Sequence, residues 1–255
     1  MWQDIKMLNT TANTLFGLFV LALFAAGLWW LTQRPMFTLQ TIRVVSTEPG
    51  KLHHVNRLTI RDTAIPRIKG NFFTANLDTV RAAFESVPWV RKATVRREWP
   101  NSLIIAVEEH EALGTWGDSG RLLSVKGDVF TANLAEAEDD HELVALMGPE
   151  GSEKEVLARY LALRAWFAPI KLVPEAVQLS SRYAWSVKLS NGMALELGRE
   201  QNDATLKERV DRLIGIYPQL LDKLQDRIES VDMRYPNGLA LKAHGQIIGL
   251  DGKQK

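Results

Sequence analysis

The sequence predicts an α+β protein held at a membrane by a single N-terminal transmembrane helix. Three observations predict it. One long apolar run lies near the start of the chain. Behind it, alternating strand patterns and amphipathic helix patterns are interleaved. Turn residues separate these patterns at short intervals as far as the C-terminal end. The chain has 255 residues, 46% of them hydrophobic and 24% charged, which excludes a wholly disordered protein. Lys and Arg total 31 against 30 Asp and Glu, a net charge of +1, and that balance argues against nucleic acid as the main partner. The absence of cysteine removes disulfides, thiol catalysis, iron–sulfur clusters and cysteine-ligated zinc.

The apolar run is LFGLFVLALFAAGLWWL, residues 15–31, without a charge or a polar side chain. As helix it spans about 26 Å at about 1.5 Å per residue, and the flanking threonines extend it toward the roughly 30 Å of a hydrocarbon core. Trp29 and Trp30 stand at its far end, where indoles favour the headgroup boundary, and Arg34-Pro35 follows. A cleaved signal peptide is the competing reading. Its apolar core is usually shorter, and the small residues Ala25-Ala26-Gly27 lie inside the run here. The expected partition is a tail at 1–12 and a span at 13–33. Charge does not fix orientation, because Lys6 is offset by Asp4 and the other flank carries Arg34 and Arg43. The large C-terminal part is expected to be the translocated side. Gly17 and Gly27 are not at the spacing of a glycine dimerisation motif.

A first module is expected at 37–110. Residues 37–45 alternate as a half-buried strand does. Two short helices follow, at 55–63 and 76–86. The second has Leu77, Val80, Phe84 and Val87 along one face, with Thr74 or Asn76 as its cap. Strands at 90–99 and 103–108 flank the Pro100-Asn101 turn. The order strand, helix, helix, strand, strand makes a three-stranded sheet covered by two helices.

A second module is expected at 111–249, with a disordered tail at 250–255. Strands are read at 113–116, 121–125, 129–130 and 143–147. Ser152 with Glu155 has the spacing of a capping box for a helix reaching about 167. Strands recur at 176–180, 183–189 and 193–197, the last two joined by the hairpin signal Asn191-Gly192. A helix at 205–216 precedes a shorter one after Pro218. A final hairpin joins strands at 228–235 and 239–243 through Pro236-Asn237-Gly238.

The run VPWVRKATVRREWPNSLIIAVEEHEALGTW, residues 87–116, resembles the FtsQ/DivIB family of bacterial cell-division proteins. The resemblance rests on Pro88-Trp89-Val90, Val95-Arg96-Arg97, Trp99-Pro100, Val107-Glu108 and Trp116. It continues through LMGPEGSEKEV, the Trp185 strand, LELGRE and SVDMRYPNGLAL, so it covers nearly the whole chain and is similar to the Gram-negative branch. It implies that the first module is a POTRA domain (β-α-α-β-β) and the second the family's mixed α/β "beta" domain with an extended antiparallel sheet. It also implies a non-enzymatic scaffold of the division septum, with an N-terminus in the cytoplasm and the body in the periplasm.

The resemblance further implies partners and contact residues. The partners are FtsB and FtsL, small bitopic division proteins, with FtsB adding a strand along the C-terminal edge. Carried over by motif, the partner-binding residues are Arg182, Arg234, Tyr235, Asn237, Gly238, Leu239 and Leu241. Ala243 stands where related chains often have an aromatic. Val95 and Arg97 are candidates for recruitment to the division site. The last strand is expected to have an open edge, since no later segment obviously covers it. An alternative of another class is a POTRA-bearing component of polypeptide transport. Such proteins usually continue into a barrel of about eight or more strands, and the helices here interrupt the strands.

Chemistry finds little support. The five histidines, His53, His54, His110, His141 and His244, show no metal-ligand spacing. Gly117-Asp118-Ser119-Gly120 matches a protease nucleophile loop in letters but reads as a polar hairpin tip. The acidic stretch Glu136 to Glu142 lacks the alternation of a calcium loop and is expected to be a solvated loop. No phosphate-binding glycine motif occurs, and no cofactor is expected. Arg91-Lys92 with Arg96-Arg97 is expected to be mostly one exposed strand face.

Overall fold

The computed structural model describes the chain except residues 1, 48–51, 203, 225–227, 236–237, 244–245 and 252–255, and excepting also the side chains of 2–6, 223–224 and 246–251. Two compact units divide at Glu109 and His110.

The first unit opens with helix α1, Trp2–Thr32. The helix reaches well before the apolar run, so the expected 1–12 tail is helical from Trp2 onward. Within it, Met7–Thr32 is long and apolar enough to cross a membrane. A tight turn at Pro35–Phe37 follows, and strand β1 is Thr41–Ser46. The strand therefore starts four residues later than the alternation suggested, because Phe37 is buried in the turn rather than paired.

Helix α2, Arg57–Thr63, is capped by Asn56, whose side chain accepts the Thr59 N–H. Helix α3, Leu77–Glu85, is capped by Asn76, which accepts from Asp78 and Thr79. Strands β2, Val90–Glu98, and β3, Ser102–Glu109, complete the unit. The sheet order is β1-β3-β2, with β1 parallel and β2 antiparallel to β3. Val80, Ala83 and Phe84 of α3 are buried, as are Leu103, Ile105 and Val107 of β3. Each such large apolar side chain contributes about 1.5–3 kcal/mol by leaving water.

The second unit is one ten-stranded sheet with helices. Its strands are β4, Ala112–Trp116; β5, Arg121–Ser124; β6, Val129–Phe130; β7, Val144–Met147; β8, Pro174–Leu179; β9, Ala184–Leu189; β10, Ala194–Arg199; β11, Ile228–Asp232; β12, Gly238–Ala243; and β13, Gln246–Asp251. Their spatial order is β13-β12-β11-β10-β9-β8-β7-β4-β5-β6. The sheet is mixed, not wholly antiparallel. Three joints are parallel, β4 with β7, β7 with β8 and β10 with β11. A helix lies in each of those connections: α4, Leu134–Asp140; α5, Glu153–Phe167; and α6, Thr205–Leu224. Helices α5 and α6 pack together and on the sheet, over a core that includes Leu163, Phe167, Trp185, Leu195, Leu213 and Val231.

Four expectations are corrected in this unit. The acidic stretch is largely helix α4, because Asn133 caps it by accepting from Ala135 and Ala137 is buried. The capping box is not formed. Ser152 is buried and its hydroxyl donates to the Pro149 carbonyl at 2.6 Å. The two helices expected around Pro218 are one, α6, because Leu213, Tyr217 and Leu220 place a continuous buried stripe across the proline.

The fourth correction concerns the open edge. Strand β13 pairs antiparallel along all of β12, from Gly238 opposite Asp251 to Ala243 opposite Gln246. The expected last strand is therefore flanked on both sides, by β11 and by β13. Leu250 and Asp251, assigned to a disordered tail, belong to β13.

Candidate partner-binding edge

The register of the sheet sets where the candidate residues gather. Ala184 at the start of β9 lies opposite Arg199 at the end of β10. Glu196 of β10 is level with Asp232 at the end of β11. The segment before β9 and the segment after β11 therefore share one end of the sheet. Arg182 stands there on the β8–β9 turn, exposed, beside Tyr183 at a φ of 58°. Arg234 and Tyr235 stand there after β11, also exposed. Two strand spacings separate β9 from β11, about 10 Å at the usual interval of about 4.8 Å.

Arg234 is already engaged. Its Nε donates to Asp232 Oδ1 at 2.9 Å, its Nη2 donates to Oδ2 at 2.6 Å, and its backbone N–H donates to Oδ1 at 3.0 Å. The Arg234 side-chain hydrogen bond is the main reason the Asp232 carboxyl sits below its usual range, with burial opposing. The same contact raises Arg234 above its ordinary value. A partner carboxylate would have to compete for that fork or share it. The stem of Arg234 crosses Gly198 of β10, which has a φ of +74°, and a Cβ there would lie 2.8 Å from Arg234 Cγ. Glycine is needed on both counts, for the left-handed backbone and for the close crossing.

Tyr235 is 55% exposed, so its ring is free to act as an aromatic anchor. Its carbonyl accepts from Arg212 Nη1 at 3.1 Å, and the same nitrogen reaches the Gly238 carbonyl at 3.3 Å. Arg212 of α6 thus ties the two ends of the β11–β12 connection together. Arg209, one residue type repeated three positions earlier, is buried and donates to the Arg199 carbonyl at 3.0 Å and to the Leu197 carbonyl. Burial lowers its pKa from the ordinary value, Arg212 adds to that, and Asp232 opposes it.

Leu239 and Leu241 point into the core and are 4% and 1% exposed. Neither presents a side chain to a partner; what they offer is backbone, and β13 pairs with it. Gly238 is buried at the start of β12, and Ala243 is buried at its end. Asn237 lies outside the described residues. Sequence reading missed Asp232, Arg212 and Gly198. The Asp-x-Arg spacing at a strand end was the available signal for the first.

The recruitment candidates separate. Val95 is half-buried on β2. Arg97 donates from Nε to the Phe72 carbonyl at 2.7 Å and from Nη2 to the Ala75 carbonyl at 2.8 Å, so it braces the 72–75 turn. Arg91 pairs with the largely buried Glu108 at 2.9 Å, which removes it from the exposed basic face. The protease-like letters form the β4–β5 turn, where Ser119 Oγ accepts from Arg121 Nε at 2.9 Å. Among the described residues no group of three or more metal-ligating side chains gathers.

Comparison with known proteins decides the family. The model of the FtsQ-type POTRA domain matches residues 37–110, and that of the FtsQ/DivIB C-terminal region matches residues 114–234. The chain is 51% identical over 245 residues to the cell division protein FtsQ of Burkholderia pseudomallei, covering 96% of this chain and 95% of that one. The chain belongs to the FtsQ/DivIB family. The FtsQ protein of Bordetella pertussis is 43% identical, with 94% and 92% of the two chains covered. That of Nitrosospira multiformis is 35% identical, with 95% and 99% covered. The FtsQ/DivIB C-terminal match ends at Arg234, so β12 and β13 lie beyond it.

Proposed function

We propose that the protein is a non-enzymatic scaffold of the bacterial division machinery in the inner membrane. In this reading α1 is the single span, the N-terminus is cytoplasmic and both modules are periplasmic. The scaffold binds FtsB and FtsL and links them to septal wall synthesis. Its mode of action is strand addition at the C-terminal end of the ten-stranded sheet.

The intramolecular β12–β13 pairing changes how that addition must run. The exposed Tyr235 and the Arg234 pair flank the start of β12, so the side chains suited to orient a partner belong to the β12 edge. A strand added outside β13 would lie one further strand spacing away, about 4.8 Å. We therefore read β13 as a placeholder that FtsB exchanges for its own strand. Two features support exchange. Among the described residues strand β13 is an edge strand, hydrogen-bonded to β12 alone. It contains Gly249, a poor strand residue. The observation that carries the reading is this edge strand on β12, whose start is flanked by an exposed aromatic and arginine.

The test is capture of the FtsB periplasmic segment by the full-length chain and by Tyr235→Ala. Loss of a central aromatic anchor should weaken binding by about tenfold or more, with the domain still folded. A folded Tyr235→Ala variant that binds unchanged rejects the proposed surface. Arg234→Glu is a less clean probe, because it would set a second carboxylate against Asp232.

A further inference from the structure

We propose that the first module lies against the membrane surface through a four-ring aromatic cluster at the exit of α1. The rings are Phe37, Phe72, Phe73 and Trp99. Phe37 and Phe73 meet edge-on with centroids 4.9 Å apart. Trp99 lies 5.6 Å from Phe37 and 5.6 Å from Phe72. Phe37 and Phe72 are buried within the group, but Trp99 is 66% exposed and Phe73 45%. The neighbouring Met36 is 59% exposed. These exposed apolar side chains fall together, and the membrane span ends beside them.

The connection to the span is direct. Asn71 Nδ2 donates to the Thr32 carbonyl, the last residue of α1, at 2.8 Å. The Phe72 N–H donates to the Phe37 carbonyl at 2.8 Å. The intervening chain is hydrogen-bonded turn by turn, from Arg34 to Leu31, Phe37 to Arg34 and Thr38 to Pro35. Arg34 also lies over the Trp30 ring at 3.4 Å. Trp30 is the interfacial indole at the end of the span, and the Asn71 turn is bonded two residues beyond it, about 3 Å along a helix axis. Phe73, two residues from Asn71, is therefore held at the depth where aromatic side chains with one apolar and one wet face reside. Exposed Arg34 and Lys69 stand in the chain shortly before Phe37 and Phe72, with charge suited to lipid phosphate. The occupant is the headgroup region of the leaflet that α1 leaves.

The chain's lack of cysteine makes the test clean, since any introduced thiol is unique. Full-length Phe73→Cys and Trp99→Cys are each labelled with an environment-sensitive fluorophore and reconstituted into phosphatidylethanolamine–phosphatidylglycerol vesicles. Leu21→Cys in α1 reports insertion, and Leu58→Cys, 63% exposed on α2, is the control outside the cluster. The expected result is a blue shift, loss of iodide quenching and quenching by headgroup-level nitroxide lipid at positions 73 and 99, but not at 58. Iodide quenching at 73 and 99 equal to that at 58, with Leu21 in lipid, overturns the proposal. Shielding that appears only at high protein-to-lipid ratio assigns the cluster to a second copy and overturns it as well. A water-exposed label at position 21 defeats the spanning reading of α1, and the proposal with it.

Discussion

The guanidinium of Arg234 grips the carboxylate of Asp232, two residues away at the end of β11, through three side-chain hydrogen bonds from Nε and Nη2. The pair holds Asp232 below its ordinary value of 3.8. A carboxylate depressed on folding contributes stability above its unfolded pKa, and that contribution is lost as pH falls through the folded value. Arg234 is largely exposed, so solvent screening keeps the contribution at about 1 kcal/mol or less. Asp232→Asn should therefore lower the thermal midpoint slightly at neutral pH. The gap between wild type and variant should close in acid, below the ordinary aspartate range. A gap that stays constant from neutral to strongly acidic pH contradicts the assignment.

Arg97 should behave as a structural brace. Arg97→Ala leaves the Phe72 and Ala75 carbonyls without their charged donor, and such bonds contribute about 1.5–3 kcal/mol each. The expected outcome is a destabilised first unit and faster amide exchange around 72–75. Recruitment lost in Arg97→Ala but restored by stabilising conditions identifies a folding defect; recruitment lost in a fully stable variant makes Arg97 a contact.

Gly114 of β4 lies opposite Val144 of β7. A Cβ at that position would lie 2.0 Å from the Val144 carbonyl oxygen, a backbone atom with no way to move aside. Gly114→Ala should break the parallel joint and cost more than about 3 kcal/mol, at the upper end for single substitutions. Circular dichroism melts should show the second unit lost or strongly destabilised. A wild-type melting profile contradicts the packing of β4 on β7.

Glu109 closes the first unit by accepting the backbone N–H groups of His53, His54 and Val55, at 2.8, 3.1 and 2.6 Å. His54 in turn stacks on Trp89 with centroids 3.9 Å apart. Glu109→Ala orphans these donors and should speed their hydrogen exchange by at least tenfold, equivalent to about 1.4 kcal/mol of local stability. Unchanged protection at 53–55 refutes the clamp.

The first unit was largely legible in the sequence because its signals are local. Asn56 and Asn76 cap helices, Val80 and Phe84 set a helical stripe, and β2 and β3 start and stop within a residue of their turn residues. The second unit was less so, because its deciding signals are tertiary. Pro218 breaks a helix in isolation but not one whose stripe is buried on both sides of it. The acidic residues of α4 read as solvent loop until Asn133 is seen to cap them. Strand β13 offers only six residues with a glycine among them, and its pairing with β12 supplies what its composition does not. The candidate contacts divide for the same reason. Tyr235 is exposed as a contact should be, whereas the inward phase of Leu239 and Leu241 is fixed by the core beneath them.

The most direct measurement compares the affinity of the FtsB periplasmic segment for the full-length chain and for one ending at Ala243. Removing the competing strand removes the cost of displacing it, so apparent affinity rises by the inverse of the fraction already open. If β13 occupies its place about nine-tenths of the time, the shortened chain should bind about tenfold tighter. Binding that is unchanged, or that disappears with β13, would contradict exchange.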